Sequence, residues 1–256
     1  GLAGTLFIVI APYRAERVQI WLHPEDYEKP SVAVDLLVFT IEEAALKLVM
    51  IRREEMPFQN KLALPGVFVN IRESLEEAAY RGIEEETGLT DIYLEQLYTW
   101  GDPERDPRMR IISVSYMALV HIHKIHLSKG KRTTQVSLYP VEELLAEETE
   151  IAFHHKKMIA CARERIKNKT EYTDVAFAFL PEEFTLPQLQ RIYEILLGKE
   201  LYKANFRKKV KDLVEETEHY TTGVSHRPSQ YYRRKGNGEE VGKNEQMESI
   251  SESGNR

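Results

Sequence analysis

The segment from Leu64 to Leu89, LPGVFVNIRESLEEAAYRGIEEETGL, leaves this chain few ways to fold around it. Ser74 followed three residues later by Glu77 is a capping box: the hydroxyl accepts an orphan amide and the carboxylate accepts the N–H of the cap. Leu75, Ala78, Ala79 and Ile83 recur at helical spacing, and Gly88 stands where a helix stops. The pattern predicts a helix over Leu75–Thr87, preceded by a loop over Gly66–Glu73. Glu84, Glu85 and Glu86 fill the C-terminal half of that helix, and Glu73 sits at its entrance. Carboxylates clustered on a helix and its loop are the donors that hold Mg²⁺, which in turn holds a pyrophosphate. The same three consecutive glutamates are also the composition of a solvated acidic face.

Strand patterns surround this unit. Val32–Ile41 and Leu46–Ile51 are β-branched and apolar, separated by a polar turn at Glu42 and Glu43, and read as paired strands. Ile111–Val120 reads as a further strand and Val136–Tyr139 as a short one. A helix opens at His154 and His155 and runs to about Lys167, with Cys161, Met158 and Ala162 on its apolar side as core. His121, His123 and His126 read as surface polar alternation. A single cysteine excludes an intramolecular disulfide and any Cys-based zinc site within one chain, which favours a reducing, cytoplasmic home. No apolar run approaches the ~18 residues of a membrane helix, so no membrane partner is expected. No basic cluster precedes the apolar run Leu6–Ala11, which argues against a signal peptide. Residues 1–26 receive no role.

Charge divides the 256 residues more sharply than the net −6 suggests. Residues 1–183 carry 22 Lys and Arg against 30 Asp and Glu, a net of −8. Residues 184–235 carry 11 against 6, a net of +5, and residues 236–256 carry 2 against 5. A basic module, of the kind that favours polyanions, thus lies inside an acidic protein. The last stretch, Gly-rich and without an aromatic, reads as a disordered tail.

In the basic module, Thr185 and Gln188 repeat the capping-box spacing, with Pro187 in the tolerated first turn. Leu186, Leu189, Tyr193, Leu196 and Leu197 make one apolar face and Gly198 ends the helix. After a tight turn a second helix is expected from about Lys203 to Glu215, with Phe206, Val210, Leu213 and Val214 within one inward arc. Its outer side presents Lys203, Asn205, Arg207, Lys208 and Lys211. A short helix offering Asn, Arg and Lys after a tight turn suits the second helix of a helix-turn-helix, where Arg and Lys reach guanine or phosphate and Asn reads adenine. The segment from Tyr220 to Arg234 reads as a hairpin wing, with Arg227 and Arg233 near phosphate reach. The same features suit a small basic domain that docks on another protein.

The 64–89 segment resembles the Nudix box: Gly, five residues, Glu, seven residues, then Arg-Glu-aliphatic-any-Glu-Glu-any-Gly-aliphatic. Glu73, Arg81, Ile83, Glu85, Glu86, Gly88 and Leu89 fall on it. Two positions depart: Val67 stands where the pattern has its first Gly, and Gly82 where it has the Glu after Arg. In Nudix hydrolases positions 82 and 86 are both carboxylates that share metal. The resemblance therefore implies Glu73, Glu85 and Glu86 as a weak or vestigial metal set, and hydrolysis that is weak or absent. Gly82, costing roughly 1 kcal/mol against Ala in a helix interior, is expected to help neither stability nor chemistry. YTWGDPERDPR (98–108) is similar to the loop of Nudix domains that act on ADP-ribose. Arg52, Arg53, Arg81 and Arg105 are then candidate effector contacts, with Phe58 and Trp100 as surfaces for adenine.

The order of Nudix-like domain, linker helix and winged helix resembles the NrtR family of Nudix-related transcriptional regulators. The stretches that carry the likeness are 27–41, the box, 93–108, 171–201, 205–210 and 226–233. The resemblance implies an α+β chain: a Nudix-type α/β/α sandwich over 27–168 that includes the linker helix, and a winged helix-turn-helix over 169–235, followed by the tail over 236–256. It implies a homodimer on double-stranded operator DNA, a repressor of NAD metabolism genes, and ADP-ribose as effector. No cofactor is required, with Mg²⁺ expected only alongside the effector. Regulation of sugar catabolism by a sugar effector, or an active ADP-ribose pyrophosphatase, are the alternatives.

Overall fold

A computed structural model describes residues 28–128, 133–223 and 228–236, together with the short pairs 6–7 and 19–20. Arg227 and the expected tail beyond Gly236 lie outside the described residues. Strands β1 (Leu6–Phe7) and β2 (Gln19–Ile20) pair antiparallel. The main sheet is mixed and seven-stranded: β3 (Ser31–Glu42), β4 (Ala45–Arg53), β5 (Leu62–Ala63), β6 (Gly66–Phe68), β7 (Glu95–Trp100), β8 (Ile111–Leu119) and β9 (Thr133–Pro140). Its main path runs β5-β4-β3-β8-β7, with β6 on β3 and β9 on β4. β3 and β8 pair in parallel from Ser31↔Ile111 to Phe39↔Leu119.

Helices cover both faces, which is why β3 reads as an unbroken apolar run rather than an alternating one. Leu36 and Val38 point toward α1 (Leu75–Thr87), among Ala78, Ala79 and Ile83. Leu37 and Phe39 point the other way, toward α2 (Val141–Leu145) and α3 (His155–Tyr172). All four are fully buried, and each such side chain contributes roughly 1.5–3 kcal/mol. The α1 caps are those the spacing predicts. Glu77 N–H donates to Ser74 Oγ (3.1 Å), Ser74 N–H donates to the Glu77 carboxylate (2.7 Å), and Gly88 closes the helix at φ 74°.

The second lobe is a winged helix. α4 (Leu186–Leu197) begins with the Thr185–Gln188 capping box and ends at Gly198 with φ 68°. α5 (Lys203–Val210) follows the turn. β10 (Phe184–Thr185), β11 (Val214–Tyr220) and β12 (Gln230–Arg234) form a sheet in the order β10-β12-β11. One hydrophobic core joins the lobes, running from Leu37 and Phe39 through Met158, Ile159 and Ile166 to Leu189, Tyr193 and Phe206. Arg163 of α3 donates to the Leu196 carbonyl at the end of α4 (2.8 Å), and Lys169 pairs with Glu95 of β7 (2.6 Å).

Several boundaries differ from the sequence reading. The helix expected to reach Glu215 ends at Val210, and Val214 is buried as the first residue of β11. Residues of two elements thus share the inward arc drawn for one helix. The start of the expected loop, Gly66–Phe68, is a strand on β3. α3 continues to Tyr172 because Ile166 and Thr170 keep its inner face buried, although its outer residues are polar. Cys161 is half-buried, packed at the margin of the core beside fully buried Met158 and Ala162.

Gly82 corrects the expectation that it serves no structural purpose. It is buried, and a Cβ there would come within 2.7 Å of Val67 Cγ2 and 3.3 Å of Leu36 Cδ1. The missing side chain lets α1 lie directly on the loop and the sheet.

Candidate functional site

A cleft opens where β3, β4, the β5–β6 segment, α1 and the 105–108 loop meet the start of α3. Asp35 lies at its base, with only 7% of its surface exposed. Arg105 Nη2 donates to Asp35 Oδ2 (3.0 Å), Ser113 Oγ donates to the same oxygen, and His155 Nε2 faces Oδ1 at 3.4 Å. His155 Nδ1 accepts from Leu64 N–H (2.9 Å), so the ring turns its Nε2 proton to Asp35. Burial raises the Asp35 carboxyl, but His155, Arg105 and Ser113 outweigh it and hold it below the usual carboxylate range. Gly66 permits this approach, since a Cβ there would stand 2.7 Å from Asp35 Oδ1.

The wall above Asp35 is cationic. Arg53 Nε donates to the Pro57 carbonyl (2.9 Å), and its guanidinium lies 4.9 Å from the Phe153 ring centre. Arg108 lies 5.6 Å from the same ring and 5.7 Å from Phe68. Asp106 holds Arg108 in a fork, Nε to Oδ1 at 2.9 Å and Nη2 to Oδ2 at 2.7 Å. Burial, followed by the nearby Arg108 charge, lowers the Arg53 guanidinium from its ordinary value. Arg105 is buried, lines the cleft, and its Nε has no hydrogen-bond partner among the described residues. Three guanidiniums converging on one cleft suit a multiply charged anion, and two phenyl rings beside them offer stacking surface.

The candidates from sequence therefore separate. Arg53, Arg105 and Glu86 line the cleft; Arg52, Phe58, Arg81 and Trp100 do not. Arg52 donates to the Asn60 carbonyl (2.7 Å), and Phe58 sits outside, edge-on to Phe153. Trp100 Nε1 donates to Ser115 Oγ (2.9 Å) and its ring meets Tyr98 edge-on. Arg81 is committed to carboxylates: its Nε donates to Glu73 (2.6 Å) and its Nη1 to Glu85 (3.1 Å). Hydrogen bonds from Arg81 and from the Asn70 amide pull the Glu73 carboxyl down to about 2. Glu73 and Glu85 thus serve Arg81, while Glu86 alone of the three faces the cleft. Among the described residues, no three His, Cys, Asp or Glu side chains form a group fit to hold a metal ion. The donor set as it stands does not fit a multi-metal centre.

Sequence reasoning missed Asp35, Asp106, Arg108, Phe153 and His155. Asp35 had a signal, a lone carboxylate inside an otherwise apolar strand. Asp106 and Arg108 lie in the same loop as Arg105, one and three residues after it. Phe153 and His155 had none, because they reach the cleft only through the fold.

On the second lobe, Phe206 and Val210 anchor α5 while Lys203, Asn205, Arg207, Lys208 and Lys211 are exposed. None of these five side chains forms a hydrogen bond or ion pair with a described residue. Lys209, also exposed, lays its ammonium over the Tyr193 ring (4.9 Å) and donates to the Glu171 carbonyl (3.3 Å). Arg233 lies across the wing from Glu215 and donates to it (2.5 Å). The result is one cationic helix face on a rigid support, the geometry that enters a DNA major groove.

A NUDIX domain model matches residues 29–161, and a model described as the NrtR DNA-binding winged helix domain matches 176–234. The ADPR responsive transcriptional repressor NtrR of Acinetobacter baylyi is 34% identical over 212 residues, covering 81% of this chain and 83% of that protein. The ADP-ribose pyrophosphatase of Methanocaldococcus jannaschii is 34% identical over 133 residues, 52% of this chain and 73% of that one. The crystal structure of Shewanella oneidensis NrtR complexed with a 27mer DNA superposes with a TM-score of 0.69 at 34% identity, covering 80% and 93% of the two chains. Among the described residues no helix is long and apolar enough to cross a membrane.

Proposed function

The chain belongs to the NrtR family of Nudix-related transcriptional regulators, and from that premise we propose that it represses by holding operator DNA as a homodimer and lets go when its cleft takes up ADP-ribose. The convergence of Arg53, Arg105 and Arg108 on one cleft carries this reading. A diphosphate presents oxygens to forked donors of this kind. Phe153 and Phe68 supply stacking for a base or ribose face. NAD metabolism genes are the natural targets of such a sensor, and its work on operators places it in the cytoplasm.

Two α5 helices presented by a two-fold dimer would meet half-sites about one DNA turn apart. The five exposed polar side chains of α5 supply base and phosphate contacts, with Arg233 and Arg227 as wing contacts. An effector can shift occupancy only by its differential affinity for two dimer geometries. α3 is placed to report the difference, since His155 at its first turn touches Asp35 and its far end packs under the winged helix. Turnover plays no part in this reading: Gly82 withholds a metal carboxylate, and Mg²⁺ enters only with the effector.

The test is a gel-shift titration of the full chain on DNA from its own upstream region. Binding that ADP-ribose at millimolar concentration reverses, with a rise in melting temperature on ligand alone, is the expected result. Binding indifferent to ADP-ribose but released by a sugar would shift the reading to sugar catabolism. Turnover of ADP-ribose with Mg²⁺ at ordinary enzyme rates would shift it to a pyrophosphatase like the archaeal relative, a reading that the Glu86 carboxylate in the cleft favours.

A further inference from the structure

The two departures from the Nudix pattern, fifteen residues apart in sequence, touch in space. Val67 takes the place of the pattern's Gly, Gly82 the place of its Glu, and the space a Cβ at position 82 needs is filled by both Val67 methyls, at 2.7 Å and 3.3 Å, with Leu36 Cδ1 beside them at 3.3 Å. We propose that Val67 is the residue that keeps a metal-binding carboxylate out of the cleft, so that Val67 and Gly82 form one steric lock rather than two independent losses. The inference rests on the non-hydrolytic reading of the cleft and names the device behind it.

Neither backbone can retreat. β6 is paired to β3 through Ala33↔Phe68, Val34↔Val67 and Asp35↔Gly66, and Gly66 is already so close that its own Cβ would stand 2.7 Å from the Val34 carbonyl. α1 is seated on Leu36 and Val38 through Ala78, Ala79 and Ile83. Rotating the valine does not clear the site. Of its three staggered positions two face Gly82, and a β-branched side chain leaves only one position empty. At least one methyl therefore opposes any side chain at 82.

The chemistry follows from the helix. Positions 82 and 86 lie one turn apart on the same side, and both Glu86 and Val67 line the cleft. A carboxylate at 82 would project beside Glu86 and complete a pair of hard oxygen donors for a divalent cation. With valine at 67 that carboxylate has nowhere to go. The smallest residue at 67 and the acid at 82 belong together, and so do the valine and the glycine found here. Reacquiring metal would need both changes, and either change alone is a defect.

The experiment is a double-mutant cycle in the full chain with Val67→Ala and Gly82→Ala, followed by Gly82→Glu in both backgrounds. Gly→Ala ordinarily raises helix stability; here Gly82→Ala should lower the melting temperature by roughly 4 °C or more. In the Val67→Ala background the same change should cost little or raise it. If Gly82→Ala does not fold while V67A/G82A does, the lock is equally supported. A G82A melting temperature at or above wild type, or an additive cycle, overturns it. Mn²⁺ binding, read by electron paramagnetic resonance below the lowest melting temperature, should tighten about tenfold or more in V67A/G82E relative to G82E. Equal Mn²⁺ affinity in those two variants overturns the role of Val67. ADP-ribose turnover by the wild-type protein at ordinary rates would instead sink the sensor reading and leave the packing cycle standing.

Discussion

The cleft and α5 use the same residue types in opposite ways. In the cleft, Arg53, Arg105 and Arg108 are held by Pro57, Asp35 and Asp106, and Arg53 and Arg108 also lie against Phe153. On α5, Lys203, Arg207, Lys208 and Lys211 stand in solvent without a partner among the described residues. A small anion of fixed shape rewards cations whose positions are set in advance. A duplex rewards mobile cations that follow phosphates and release counterions. Position is therefore costly to disturb in the first region and charge is what counts in the second.

The largest effect should come from breaking the buried pair. Arg105→Ala takes the guanidinium from Asp35 and leaves that buried carboxylate only Ser113 and His155, and should cost up to about 3–5 kcal/mol by denaturant unfolding. A loss below about 1 kcal/mol would mean that the cleft cations are no more committed than those on α5. Next, Arg207→Ala with Lys208→Ala should weaken operator binding by about ten- to a hundredfold and reduce the slope of log K against log salt by about 2, with the melting temperature unchanged. Full affinity would detach α5 from DNA reading. Arg53→Ala should weaken ADP-ribose binding about tenfold by calorimetry while operator affinity holds. A matching loss of DNA binding would erase the distinction between the regions. Salt sharpens it further, since ADP-ribose affinity should fall less steeply than operator affinity.

The smallest effect is one of pH. Glu73, drawn down from an ordinary 4.5 to about 2 by Arg81, stabilises the fold above its unfolded value, and that stability is lost as pH falls from 4.5 through 2. Glu73→Gln should flatten this part of the acid limb in a denaturant-midpoint profile. A wild-type profile already flat over that window would refute the pairing.

How far the sequence could be read depended on whether a feature was local. The α1 and α4 caps are written within four residues, and both were legible to the residue. The inner arc through Val214 was not, because burial at helical spacing does not reveal that the chain has changed from helix to strand after Val210. At the site, Arg53 and Arg105 were named from their neighbours in the chain. Trp100 and Arg81 were named the same way but turn to Ser115 and Glu73 instead. His155 could not be found in advance: its partner Asp35 lies 120 positions earlier, and only the packing of α3 on the sheet joins them. Gly82 could be flagged as a lost carboxylate, whereas its contact with Val67 needed the loop's pairing with β3.

The 18 residues of α3 amount to a stiff rod about 27 Å long, with one end in the floor of the cleft and the other beneath the DNA reader. A rod of that length multiplies small angles. Tilting it by about 10° at His155 would swing its far end roughly 5 Å sideways, about the height of one helical turn. A ligand that nudges a single imidazole could in this way throw a reading head out of step with its groove, with leverage in place of a hinge.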